Sequence, residues 1–107
     1  MDRLTTHQVS PDGAHFCVFA LAGELDTSSI GELISTVVHT LERGGRHLCL
    51  DLSAVTWCDH GSLFTLLGIK HAANHIGGSL SLLAVSAPVC EALHRTGLNE
   101  LLPVVPR

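Results

Sequence analysis

Near the middle of the chain, Cys58-Asp59-His60-Gly61-Ser62 brings a thiol, a carboxylate, an imidazole and a hydroxyl into one short stretch. An imidazole beside a thiol can lower its pKa and make a nucleophile. Adjacent residues at a strand end tend to point to opposite sides, which argues against nucleophilic catalysis by Cys58 beside Asp59 and His60. A second candidate is His71 with His75, four apart in "HAANH". That spacing places two ligands on one helix face, but no glutamate stands between them and no third ligand follows from the spacing, so no metal is expected. A third group is Asp26-Thr27-Ser28, again a carboxylate beside hydroxyls. Helix capping accounts for both acidic groups on spacing alone, because Asp, Ser and Thr side chains satisfy the free N–H groups of a helix start. Gly61 adds that another backbone or a phosphate can come close there.

The flanking elements must set these groups in place. "HFCVFALAGEL" reads as a central strand ending at a carboxylate-rich loop. Within "DTSSIGELISTVVHTLERGG", Ile30, Leu33, Ile34, Val37, Val38 and Leu41 form one apolar stripe on a helix. Ser29 with Glu32 has the spacing of a capping box, with Asp26 or Thr27 as caps one turn earlier. "RHLCLDLSAV" is a second strand ending near Val55, with Leu48, Leu50 and Leu52 on one face. "SLFTLLGIKHAANHIGG" is a helix turning Leu63, Leu66, Leu67 and Ile69 to the core. "SLSLLAV" is a strand, "APVCEALHRTGL" a helix with Pro88 in its first turn, and "LLPVV" a closing edge strand that tolerates Pro103. With a weak strand at Leu4 to Val9 the order is β-β-α-β-α-β-α-β. This is an α/β fold with crossover helices on a mixed, mostly parallel sheet.

Composition narrows the function further. The 107 residues fit one domain spanning 1–107, with 46% hydrophobic and 15% charged residues. The net charge of −4, with six Lys and Arg scattered along the chain, leaves no basic stripe for nucleic acid. The longest apolar run, Phe16 to Gly23, is far short of the roughly 20 residues of a membrane helix, so no membrane insertion and no signal peptide are expected. Cys17, Cys49, Cys58 and Cys90 lie far apart and read as buried free thiols, which suits a cytoplasmic location. Trp57, the only tryptophan, is expected to pack in the core or under its loop. The pairs Gly44-Gly45 and Gly77-Gly78 follow helices and act as stop signals, not phosphate loops.

"LAGELDTSSIGEL", "LCLDLSAVTWCDHGSLFTLLG", "GGSLSLLAV" and "ALHRTGL" fall in the order and at the intervals of a STAS domain. The chain most resembles the bacterial anti-sigma-factor antagonists, over roughly residues 5–105. The resemblance implies a non-enzymatic binding protein with no cofactor. Its implied partner is an anti-sigma factor with serine kinase activity, whose capture frees a sigma factor. The implied contact residues are Asp26, Thr27, Ser28, Asp59, His60, Gly61, Ser62 and Leu63, and the protein is expected as a monomer or weak homodimer. The family pattern at the second junction is Asp-Ser-Ser/Thr-Gly-Leu, with the first serine the usual phosphoacceptor. Here Asp59 and Leu63 keep the spacing and His60 stands at the acceptor position. The switch is then lost and binding constitutive, or Ser62 serves as substitute acceptor, or the domain has another STAS role, such as a subunit of a lipid-transport ATPase or stress-sensing complex. A serine two positions on lies about 200° around the helix, so takeover by Ser62 ranks below loss.

Overall fold

A computed structural model describes residues 3–10 and 16–105. His15, assigned from the sequence to the first long strand, lies outside the described residues. The elements in chain order are β1 (Thr5–Gln8), β2 (Phe16–Leu25), α1 (Ile30–Glu42), β3 (His47–Cys58), α2 (His60–His75), β4 (Ser79–Val85) and α3 (Ala87–Thr96), followed by a 3-10 turn at Leu98–Glu100. The sheet order is β1-β2-β3-β4, with β1 antiparallel to β2 and the β2-β3 and β3-β4 pairs parallel. Two crossovers that advance in the same direction, each right-handed, lay α1 and α2 on one face of the sheet. The burial pattern follows. Cys17, Phe19, Leu21 and Leu25 of β2 and Leu48, Leu50 and Leu52 of β3 are buried, and they form one core with Leu33 and Val37 of α1 and Leu63 and Leu66 of α2.

Three local expectations are corrected. The closing strand is not formed: Leu98–Glu100 is a 3-10 turn, and only Val104 bridges Leu82 of β4. Pro103 has no N–H to give a ladder, so Leu82 N donates to the Pro103 carbonyl and Val105 N to the Leu82 carbonyl, and the contact stops there. The α1 stripe is narrower than its apolar residues. Ile34 and Val38 are exposed and line a groove of about 380 Å³ with Leu41, Gly68, Ile69 and Ala72. Of the four cysteines, only Cys17 and Cys58 are buried, Cys49 is half-buried and Cys90 is exposed.

The correction that matters most for the site is the length of β3. It continues past Val55 to Cys58, and its register against β2 slips between Ala20 and Ala22 and again between Gly23 and Glu24. Gly23 has φ +100, a conformation other residues adopt only at a steric cost, which accommodates the second slip. Each slip inserts a residue of β3, so its buried apolar positions run 48, 50, 52 and then 55 and 58. Trp57 is thereby set opposite Glu24, and Cys58 opposite Leu25.

The link from α2 to β4 is tight. A Cβ at Gly78 would lie 2.0 Å from the Arg46 carbonyl oxygen, whereas one at Gly68, in mid-α2, would meet nothing within 4 Å. Gly78→Ala is therefore expected to cost about 1–3 kcal/mol, since backbone has to move to admit the methyl. Gly68→Ala is expected to gain about 0.8–1 kcal/mol from helix propensity. Urea unfolding midpoints that shift in the same direction for both variants would contradict this packing.

Candidate functional site

The two junctions singled out in the sequence meet at the carboxyl ends of β2 and β3. They are joined by one side chain. Asp59, extended at φ −92 and ψ 165, is the N-cap of α2, and its Oδ1 accepts a 2.8 Å hydrogen bond from Ser62 N. Its Oδ2 accepts a 3.1 Å bond from Thr27 N in the loop before α1. The Asp59 N–H donates to the Leu25 carbonyl at 3.1 Å, so backbone and carboxylate both tie the β3 end to the β2 end. Gly61 completes the contact: a Cβ there would stand 3.3 Å from Thr27 Cγ2, so the glycine lets the chain's own loop approach.

The first loop is ordered by its own carboxylate. Asp26 Oδ1 accepts from Ser28 N at 2.9 Å, Ser28 Oγ at 2.6 Å and Ser29 N at 2.9 Å. The Ser28 hydroxyl foremost, helped by these backbone N–H groups, holds the Asp26 carboxyl below its ordinary value. The capping box does not form. Ser29 heads α1 without a side-chain cap, and its hydroxyl turns back to donate to the Glu24 carbonyl at 3.0 Å while accepting from Asp26 N at 3.0 Å. Glu32 pairs instead with Arg3.

The first turn of α2 divides its residues sharply. His60 and Gly61 are exposed, whereas Ser62 and Leu63 are both 0% exposed. Among the described residues the Ser62 hydroxyl has no hydrogen-bond partner. Leu63, read from the sequence both as a core residue of the helix and as a contact residue, is in the core, and Ser62 lies beneath the surface as well. Asp26 and Asp59 are half-buried, and Thr27 and Ser28 are exposed.

Cys58 is buried, its Sγ 3.9 Å from the Pro88 carbonyl, and burial first and the Asp59 charge second push its thiol pKa up. That is the opposite of what a nucleophile requires. His71 and His75 are exposed on α2, and among the described residues no three His, Cys, Asp or Glu side chains come together as a metal site would need.

Trp57, expected inside, is 49% exposed. It walls two grooves. One, of about 390 Å³, is completed by Glu24, Asp26, Thr27 and Ser28. The other, of about 360 Å³, is bounded by Asp59 and His60 on one side and Pro88, Glu91, Ala92 and Arg95 of α3 on the other. Glu24 and Glu91, Ala92 and Arg95 of α3 were not singled out in the sequence as site residues, and Trp57 was expected to pack inside. The one signal available for Trp57 was a lone large aromatic at a strand end, and its outward direction depends on the β2-β3 register.

The fold has known relatives. Residues 10–104 match the family described as "Mlab, STAS domain", and the chain belongs to that family. An anti-sigma factor antagonist from Mycobacterium paratuberculosis superposes with a TM-score of 0.74 at 24% identity, over 99% of this chain and 88% of that one. The unphosphorylated anti-sigma factor antagonist SpoIIAA gives 0.75 at 16% identity, over 97% and 87%. The STAS fold also recurs within a far larger protein, SLC26A9, with a TM-score of 0.62 at 17% identity, over 86% of this chain and 18% of that one.

Two measurements check the geometry. Asp59→Ala removes the acceptor of both Thr27 N and Ser62 N and is expected to cost about 1–2 kcal/mol, with Asp59→Asn, which keeps an acceptor for the cap, losing less. Equal urea midpoints for wild type and Asp59→Ala would contradict the shared carboxylate. The Asp26 carboxyl is expected to titrate below 3.8 in a carbon-detected NMR titration. Because its folded value is depressed, its contribution to stability is complete above the unfolded value and is lost as pH falls through the folded one. Asp26→Asn should remove that part of the acid dependence.

Proposed function

We propose that this protein is an anti-sigma-factor antagonist that captures an anti-sigma factor of the serine-kinase type in the cytoplasm, acting by binding and not by catalysis. The observation that carries the reading is the exposed His60 at the first position of α2, beside a capping Asp59, in a chain of the STAS family. Similarity in fold to two anti-sigma factor antagonists over 97–99% of the chain supports it. The contact surface comprises Asp26, Thr27, Ser28, Asp59, His60 and Gly61, with Ser62 and Leu63 supporting it from beneath.

Regulation follows from the same turn of helix. A phosphoserine at a helix start adds about −1.5 to −2 charge and three acceptor oxygens, enough to break a docked contact. His60 has no hydroxyl to receive phosphate from a serine kinase. The Ser62 hydroxyl is inside the domain, where a kinase reaches it only if the helix start opens. Binding is therefore constitutive with respect to the partner's kinase. A second reading, a STAS subunit of a larger assembly such as a lipid-transport ATPase complex, is favoured by the family's description as Mlab. It would use the same exposed junction.

The test is to mix the full-length protein with each kinase-type anti-sigma factor of its host, expressed singly, with and without ATP. One complex is expected to persist in ATP, with intact-mass spectrometry showing no acid-stable phosphate on the protein. His60→Glu, which places a carboxylate at a helix N-terminus and so preserves the fold, should weaken that complex at least about tenfold. Restoring the family pattern with His60→Ser, Gly61→Ser and Ser62→Gly should create an acceptor. Phosphate on Ser62 of the wild type would overturn the constitutive reading. Capture of an ATPase assembly in place of any anti-sigma factor would favour the second reading.

A further inference from the structure

We propose that Trp57 is the anchor of this docking surface and that it receives an arginine-bearing basic segment of the partner, with the guanidinium laid on the indole face and held by Glu24 and Asp26. The inference rests on the reading of the two junctions as a docking surface and specifies the chemistry of what docks.

Trp57 is an expensive side chain to leave in water, and burying it fully would be worth several times more than most surface contacts. Nothing local requires its exposure. The two register slips pair it with Glu24 on the same side of the sheet, and the paired ends of β2 and β3 hold it there. An aromatic fixed on a paired strand, bordered by polar groups and flanked by two grooves, has the form of an interface hot spot.

The charges around it select the occupant. The groove of Glu24, Asp26, Thr27, Ser28 and Trp57 contains two carboxylates and no cation. Asp26 is kept ionised by the bonds Ser28 and Ser29 give to its carboxylate. Two cations border the site, each already carrying a surface ion pair: Arg3, whose backbone bridges Glu24, pairs with Glu32, and Arg95, across the second groove, pairs with Glu91 at 2.6 Å. An anionic segment would be repelled here. A guanidinium offers a flat cation for the indole and edge N–H groups for two carboxylates, which an ammonium matches less well.

With one tryptophan and no tyrosine in the chain, indole fluorescence reports this site directly. The probe is a capped glycine-serine peptide carrying two arginines, compared with the same peptide in which citrulline replaces arginine. The arginine peptide is expected to change Trp57 emission saturably and to bind about fivefold or more tightly than the citrulline peptide. Glu24→Gln and Asp26→Asn, which keep shape and acceptor oxygens, should each lose most of that difference. Glu42→Gln, at the far end of α1, should lose none. No saturable change, equal binding of the two peptides, or an equal loss in Glu42→Gln would overturn the inference, the last because it would show only the effect of net charge. If the peptide fails while an anti-sigma factor is still captured, the anchor is wrong and the antagonist reading stands. If the peptide binds as described and no anti-sigma factor is captured, the anchor stands and the antagonist reading falls.

Discussion

The carboxylate of Asp59 holds this site together. One oxygen caps α2 through Ser62 N and the other accepts Thr27 N from a loop 32 residues earlier in the chain. A capping bond by itself contributes about 1 kcal/mol, which is modest. Its larger consequence is geometric, because a single planar group fixes the start of one crossover helix against the loop that leads into the other. Gly61 is small for the same reason, leaving room for the Thr27 methyl. Two stretches that each look like an ordinary helix start become one continuous surface.

That arrangement sorts the residues of the α2 start by direction. His60 faces out, while Ser62 and Leu63 face in, as the 100° step of a helix demands. A hydroxyl at position 60 would be open to a kinase, whereas the hydroxyl at position 62 is sealed between helix and core. The histidine occupies the outward position without disturbing the cap or the core beneath it. In the related fold of SpoIIAA, structures of both an unphosphorylated and a phosphorylated form are known. Here the outward side chain is an imidazole.

The sheet contributes through its irregularities more than its regular ladder. A perfectly alternating β3 would have continued the pattern of Leu48, Leu50 and Leu52, with even positions inward throughout. The first inserted residue turns Val55 inward, and the second restores the alternation, leaving Cys58 inward and Trp57 outward, now paired with Glu24. The pairing of the indole with Glu24 descends from that shift, and α3 supplies the wall of the second groove.

Much of the fold was legible in the sequence because it rests on short-range regularities. The 3.6-residue stripe of Leu33 and Val37, the alternation of Leu48 to Leu52, the Asp59 cap and the terminating glycines all act within a few residues of chain, and each is present where the pattern placed it. The readings that failed depended on distant partners. Ser29 and Glu32 have the spacing of a capping box, yet their side chains are claimed by the Glu24 carbonyl and by Arg3. "LLPVV" has strand composition, but an edge strand needs donors in register with β4, and the proline and the preceding 3-10 turn leave one bridge. The residues themselves determined most of the elements, their order and the identity of the side chain at position 60, since these are properties of local sequence. Only the tertiary structure decided that Asp59 spans both junctions, that Ser62 is sealed and that Trp57 is exposed, because each depends on how two strands far apart in sequence slide into register.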